Sequence, residues 1–138
     1  MVSPKPAAIA AYLLDSSVCV MILRGRTAAA DLPAPPEAAI SGIVAAELWA
    51  GAMKANRASE ADRLGELLEF FPVLDFTEAA ARSYGEIRAD LERKGTLIGP
   101  LDLLIAAHAR SLGATLITLN AREFKRVKGL EVHAWVAK

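Results

Sequence analysis

The side chains able to do chemistry in this chain are acids placed at the ends of apolar runs. In "AAYLLDSSV", residues 10–18, a stretch suited to a buried strand stops at Asp15 and is followed by Ser16 and Ser17. Asp102 stands in the first turn of a helix opened by Gly99 and Pro100, and Asn120 follows directly on the apolar "ATLITL". Glu47 lies in "SGIVAAELWAGAMKA", where Ile43, Ala46 and Ala50 recur with it at helical spacing, so it is expected to point the same way as apolar neighbours. Carboxylates meeting in a partly apolar crevice repel one another and take up protons unless a cation joins them. Oxygen ligands without a nearby histidine or cysteine suit Mg²⁺ or Mn²⁺, which readily accept phosphate oxygens. Phosphodiester hydrolysis is the chemistry such a set supports, with the metal activating a water and neutralising charge as it builds on the phosphate.

Each residue alone has a plainer explanation. Asp15 could be a turn residue, and Glu47 could pair with an arginine. Asp102 near a helix N-terminus is worth about 0.3–1 kcal/mol without any ligand. Asn120 and Glu123 have the spacing of a capping box, the amide capping the helix and the acid reaching back. Only a common meeting place calls for a cation, and the elements that carry these residues decide whether they meet.

Those elements alternate. Ile9 to Leu14 reads as a buried strand, and Ser16 and Ser17 as caps for a helix from about Val18 to Leu23. A loop over 28–36 leads to a short strand from Ala38 to Ile40, and Ser41 starts the helix that bears Glu47. A helix from Ser59 to Phe71 carries Leu64, Leu67, Leu68 and Phe71 on one stripe, and Pro72 stops it before the strand "VLDF". Thr77 opens a long amphipathic helix ended by Gly95. Pro100 and Gly113 bound the next helix, "ATLITL" is a buried strand, and "VHAWV" is a last strand at the sheet edge. Helices alternating with short apolar strands predict an α/β fold with a parallel sheet covered on both faces. In such sheets ligands sit beyond the carboxyl ends of the strands, where Asp15, Asp102 and Asn120 are all expected.

At 138 residues the chain suits one domain with no internal boundary. A hydrophobic content of 54% against 23% charged residues argues against disorder. Sixteen basic and sixteen acidic residues cancel, so the molecule as a whole is no polycation and any phosphate binding must be local. Arg122, Lys125, Arg126 and Lys128 form such a group just past the candidate site, with Arg24 and Arg26 on what is expected to be the same rim. A single cysteine, Cys19, excludes an internal disulfide and a thiolate metal cluster and agrees with a reducing cytoplasm. Asp15 interrupts the only stretch that imitates a signal peptide, and no run is long enough to span a bilayer. Trp49, Phe70, Phe71, Tyr84 and Trp135 read as core or interface residues, and His108, inside an apolar helix, as a satisfied core histidine.

Four segments, "YLLDSSV", "ISGIVAAELWAG", "GPLDLLIAAHA" and "TLITLNAREFKRVKGLEVHAW", taken in this order and spacing, resemble the PIN-domain ribonucleases, in particular the VapC-type toxins of bacterial toxin–antitoxin pairs. The resemblance covers nearly the whole chain. It implies a PIN-like three-layer sandwich, with a central, mostly parallel sheet flanked by helices, as one domain over 1–138 in which residues 1–8 are a flexible extension. It further implies a Mg²⁺- or Mn²⁺-dependent endoribonuclease whose acidic site falls to Asp15, Glu47 and Asp102, with Asp15 and Asp102 as metal ligands. Where the family commonly has a fourth acid this chain has Asn120, and Glu123 could supply the missing carboxylate, directly or through water. Ser17 and Thr118 fall where the family keeps a hydroxyl or amide able to orient a carboxylate or water, although both could be ordinary turn residues. Arg24, Arg122, Lys125 and Arg126 are the implied RNA contacts. A cognate antitoxin whose C-terminal segment crosses the active-site groove, a homodimer and a cytoplasmic location complete the expectation, with Trp49 as either an anchor for the antitoxin or part of the core.

Rival readings differ at single positions. A receiver-type phosphorylation switch wants a lysine where Asn120 stands, and a haloacid-dehalogenase phosphatase wants an aspartate where Ser17 stands. The alternative within the family is a catalytically weak PIN domain that binds RNA or a protein partner without efficient cleavage.

Overall fold

The computed structural model describes residues 10–136. The expected extension over 1–8, and the strand start at Ile9, lie outside the described residues. Five strands form one sheet in the order β3-β2-β1-β4-β5, every neighbouring pair parallel. In chain order the elements are β1 (Tyr12–Leu14), α1 (Ser16–Leu23), a 3₁₀ turn (Ala29–Asp31), β2 (Ala38–Ser41), α2 (Gly42–Ala55), α3 (Ala58–Phe70) and β3 (Val73–Leu74). They continue with α4 (Glu78–Lys94), α5 (Pro100–Leu112), β4 (Thr115–Thr118), α6 (Ala121–Phe124) and β5 (Glu131–Ala134). Parallel pairing requires crossovers, and right-handed ones place α1, α2 and α3 on one face and α4 with α5 on the other. Contacts agree, since α1, α2 and α3 touch one another and α4 packs along α5. This is the expected α/β sandwich.

Burial explains why the strands hold their register. Leu13 lies beside Ala39 on one side and Leu116 on the other, all three excluded from solvent. A one-residue slip would turn that row outward. Pairing of Leu14 with Ile117 sets Asp15 beside Thr118 at the carboxyl edge of the sheet. α5 runs under this edge with Leu103 and Ile105 to Ala109 buried.

Helix ends follow local chemistry, with corrections to the expected boundaries. Ser41 and Thr77 cap α2 and α4 through their hydroxyls, and Gly95 and Gly113 end α4 and α5 at φ 67° and 65°, where only a residue without Cβ is unstrained. α1 starts at Ser16 rather than Val18, because the Asp15 carboxylate, not a serine, accepts the first free N–H. Strand ends shift from expectation: "VLDF" pairs only at Val73–Leu74, β2 runs on to Ser41, and β5 starts at Glu131 and stops at Ala134. The buried stripe of α2 is Val44, Ala45, Leu48 and Ala52, whereas Ala46 and Ala50 face solvent. Glu47 therefore sits at the border of that stripe rather than within an apolar face. Trp49 is half-buried and packs on the core, while Phe70 is exposed and its neighbour Phe71 fills the interior.

Candidate active site

Asp15 is the best-held group of the site, only 2% exposed. Its Oδ1 accepts the Ser16 N–H at 2.8 Å. Its Oδ2 accepts two hydroxyls, Thr118 at 2.6 Å and Ser17 at 3.0 Å. The Ser16 hydroxyl also approaches Oδ1, at 3.5 Å, so each carboxylate oxygen of Asp15 has two donors about it, the one on Oδ1 long and weak. The hydroxyls are themselves fixed, because Thr118 Oγ1 accepts the Asn120 N–H at 2.9 Å and Ser17 Oγ accepts the Leu119 N–H at 3.1 Å. Ser17 and Thr118 are thus orienting groups for Asp15, not ordinary turn residues.

Three more carboxylates gather nearby. Glu123 does not form the capping box with Asn120, whose side chain makes no cap hydrogen bond. Instead Glu123 Oε1 accepts the N–H of Gly99 at 3.2 Å, reaching across to the start of α5. Asp102, in the first turn of α5, folds back over the same glycine, its Oδ2 3.4 Å from where a Cβ on Gly99 would stand. Burial, then the charges of Glu123 and Asp15, a hydrogen bond with Glu123 and the charge of Glu47 push Asp102 up to about 7. Burial, followed by the charge of Asp15, likewise raises Glu47, against a lowering contribution from the Ser16 hydroxyl. Glu47 Oε1 is buried with no hydrogen-bond partner.

The plainer alternative for Glu47, pairing with an arginine, is not found: none of the ion pairs among the described residues involves it. Four acids acting on one another, one buried carboxylate oxygen without a donor and an all-oxygen donor set fit a hard divalent cation. Among the described residues no three acids, histidines or cysteines are drawn close enough together to hold a metal ion as they stand.

The basic residues divide around this cluster. Arg24 lines a cavity of about 390 Å³ that also includes Glu47, Leu48, Glu60, Arg63 and Leu64. Arg122 and Arg126 line a separate, more open recess with Asn120 and Glu123. Lys125 and Arg26 are exposed but line neither, and Trp49 stands outside the cavity beside Glu47. Asn120 is exposed and joins the network through its backbone N–H, donated to Thr118. Sequence reasoning missed the Gly99 N–H that holds Glu123 and the place of Arg63. The first had a signal, since a glycine before Pro100 leaves a free backbone donor at a helix start; the second had none.

The family profile described as PIN domain matches residues 12–130. A protein from Rickettsia felis named ribonuclease VapC2 is 38% identical over 130 residues, covering 90% of this chain and 97% of the relative. One from Shigella flexneri named tRNA(fMet)-specific endonuclease VapC is 36% identical, with 90% and 97% covered. Among solved structures, VapBC2 from Rickettsia felis bound to a promoter DNA fragment superposes with a TM-score of 0.84 at 37% identity, covering 91% of this chain and 98% of that one. The chain belongs to the PIN-domain family, in its VapC branch.

Proposed function

We propose that this protein is a divalent-metal-dependent endoribonuclease and the toxin of a toxin–antitoxin pair. The observation that carries the proposal is that Glu123 and Asp102 both fold over Gly99, while Asp15 is held by Thr118 at the carboxyl edge of the sheet and Glu47 is left with a buried oxygen that no donor meets. RNA as the substrate rests on the family, whose relatives bear the names ribonuclease and tRNA(fMet)-specific endonuclease. Mg²⁺, or Mn²⁺ in its place, would be held by Asp15 and Asp102 and would activate a water and offset charge building on the phosphate.

The chain's own residues do the rest. Asp15 is locked by Thr118, Ser17 and the Ser16 N–H, so its carboxylate has a fixed direction, and the long Ser16 hydroxyl contact to Oδ1 is the one a metal would displace. Glu47 Oε1, buried and without a donor, is suited to take the proton of the attacking water. Glu123, fixed by Gly99, supplies the fourth carboxylate in place of Asn120. Arg24 on one side and Arg122 and Arg126 on the other would hold flanking phosphates, with Lys125 contributing at longer range. Because Glu123 reaches the cluster, the reading of a PIN domain that binds without cutting is not favoured.

The solved neighbours include toxin–antitoxin complexes, and a small antitoxin is the proposed partner here. Its C-terminal segment would enter the Glu47 cavity, whose walls include Leu48 and Leu64. The homodimer and the cytoplasmic location are carried over as part of this reading; among the described residues no helix is long and apolar enough to cross a membrane. Incubation of the purified chain with an RNA panel that includes tRNA(fMet) tests the proposal. Metal-dependent cleavage abolished by EDTA, with growth arrest on expression relieved by the product of an adjacent small gene, is the expected result. Intact RNA throughout, or cleavage undiminished in Asp15→Asn, contradicts it.

A further inference from the structure

Outside the carboxylate cluster, one buried polar contact is left unused by this chemistry. His108, in α5, is 1% exposed, and Ser41, at the end of β2, is fully buried. His108 Nδ1 and Ser41 Oγ are 2.7 Å apart. Ser41 Oγ already accepts the Ile43 N–H at 3.1 Å as the cap of α2. The hydroxyl can donate to Nδ1 or accept from it, according to the tautomer of the ring, and the short contact stands in either case. Phe76 stands edge-on to the ring with centroids 5.5 Å apart. Burial lowers the ring's proton affinity, against the backbone and charge of Asp75, so the imidazole is held neutral. Nε2 is buried without a hydrogen-bond partner. The contact to Ser41 is thus the one side-chain hydrogen bond of the ring among the described residues.

The contact spans two helices that matter. α5 carries Asp102 six positions before His108, and α2 carries Glu47 six positions after Ser41. Among the described residues no other side-chain hydrogen bond joins α5 to β2 or α2. Apolar packing between helices is non-directional and tolerates small slides, whereas a short directional bond fixes one register. We infer that the His108–Ser41 hydrogen bond positions the carboxylate cluster, fixing the start of α2 against α5 and thereby Glu47 relative to Asp102. This rests on the metal-nuclease reading above, and it makes His108 a positioning residue, remote from the reacting atoms.

Mn²⁺ binding to the full chain, followed by electron paramagnetic resonance, tests the inference with two substitutions. His108→Asn places an acceptor near the present Nδ1, while His108→Phe fills the ring volume without one. Affinity in His108→Phe is expected to fall about tenfold, the low end for loss of a group that orients a metal ligand, and to stay within about threefold in His108→Asn. Thermal unfolding is expected to rank them the other way, because the smaller asparagine leaves a cavity. Should His108→Phe not fold, Ser41→Gly removes the same bond at a position where glycine still caps a helix, with the same expected loss. Affinity that is unchanged on losing the bond, or that simply follows stability, overturns the inference. Absence of Mn²⁺ binding by the unsubstituted chain overturns the nuclease reading as well, whereas normal binding in every variant overturns the positioning role alone.

Discussion

Replacing Asp102 by asparagine is expected to abolish cleavage and, in the absence of metal, to make the protein more stable at neutral pH. Burial and the neighbouring carboxylates push the Asp102 carboxyl from its ordinary 3.8 up to about 7 within the fold. Between those values the folded chain binds more protons than the unfolded one, so stability falls as pH rises through the window. The cost is absent below the lower value and complete above about 7. Unscreened, that separation corresponds to roughly 4 kcal/mol; solvent screening at a group that is only partly buried reduces it to about 1–2 kcal/mol. Asparagine keeps the shape and removes the charge. Urea unfolding with EDTA at pH 8 is therefore expected to show Asp102→Asn about 1–2 kcal/mol more stable, with the gain gone near pH 4. Added Mn²⁺ at about a hundred times its Kd should raise the unsubstituted chain by about 2.7 kcal/mol and leave the variant little changed. A variant less stable than its parent at pH 8 in EDTA would refute the convergence of negative charge on Asp102.

Other substitutions separate the roles around the cluster. Thr118→Val removes the 2.6 Å bond to Asp15 and leaves the Asn120 N–H without its acceptor; a loss of about 1–3 kcal/mol by denaturant titration and a fall in cleavage of about 10–100-fold are expected. Glu123→Gln should lower kcat by at least about tenfold, while Asn120→Ala stays within about threefold in the same assay, since only the former removes a charge from the site. Arg122→Ala with Arg126→Ala should raise KM with little change in kcat and flatten the salt dependence of RNA binding by about 1.4 log units per log unit of salt.

The central layer and its edge were legible because apolar runs that end in an acid or a hydroxyl have few other uses. Asp15, Asp102 and the strands beside them fell where the pattern placed them. The face of α2 did not, since alanines at 46 and 50 suit either side of a helix and carry no strong preference for burial. Glu123 was ambiguous for a different reason. Its spacing from Asn120 satisfied a local capping rule, and the competing donor, the Gly99 N–H, is brought near only by the tertiary fold. The cap of α1 was misassigned between neighbours for want of geometry, because aspartate and serine are about equally good caps. Nor does any local pattern announce the His108–Ser41 bond, which joins elements distant in sequence.

The most direct measurement is an anomalous difference map from a crystal of the protein soaked with Mn²⁺, collected near the manganese edge. The account predicts a peak between the carboxylates of Asp15 and Asp102, lost in Asp102→Asn. A protein that cleaves RNA yet shows no peak there, or shows one only at a distant surface, would contradict it.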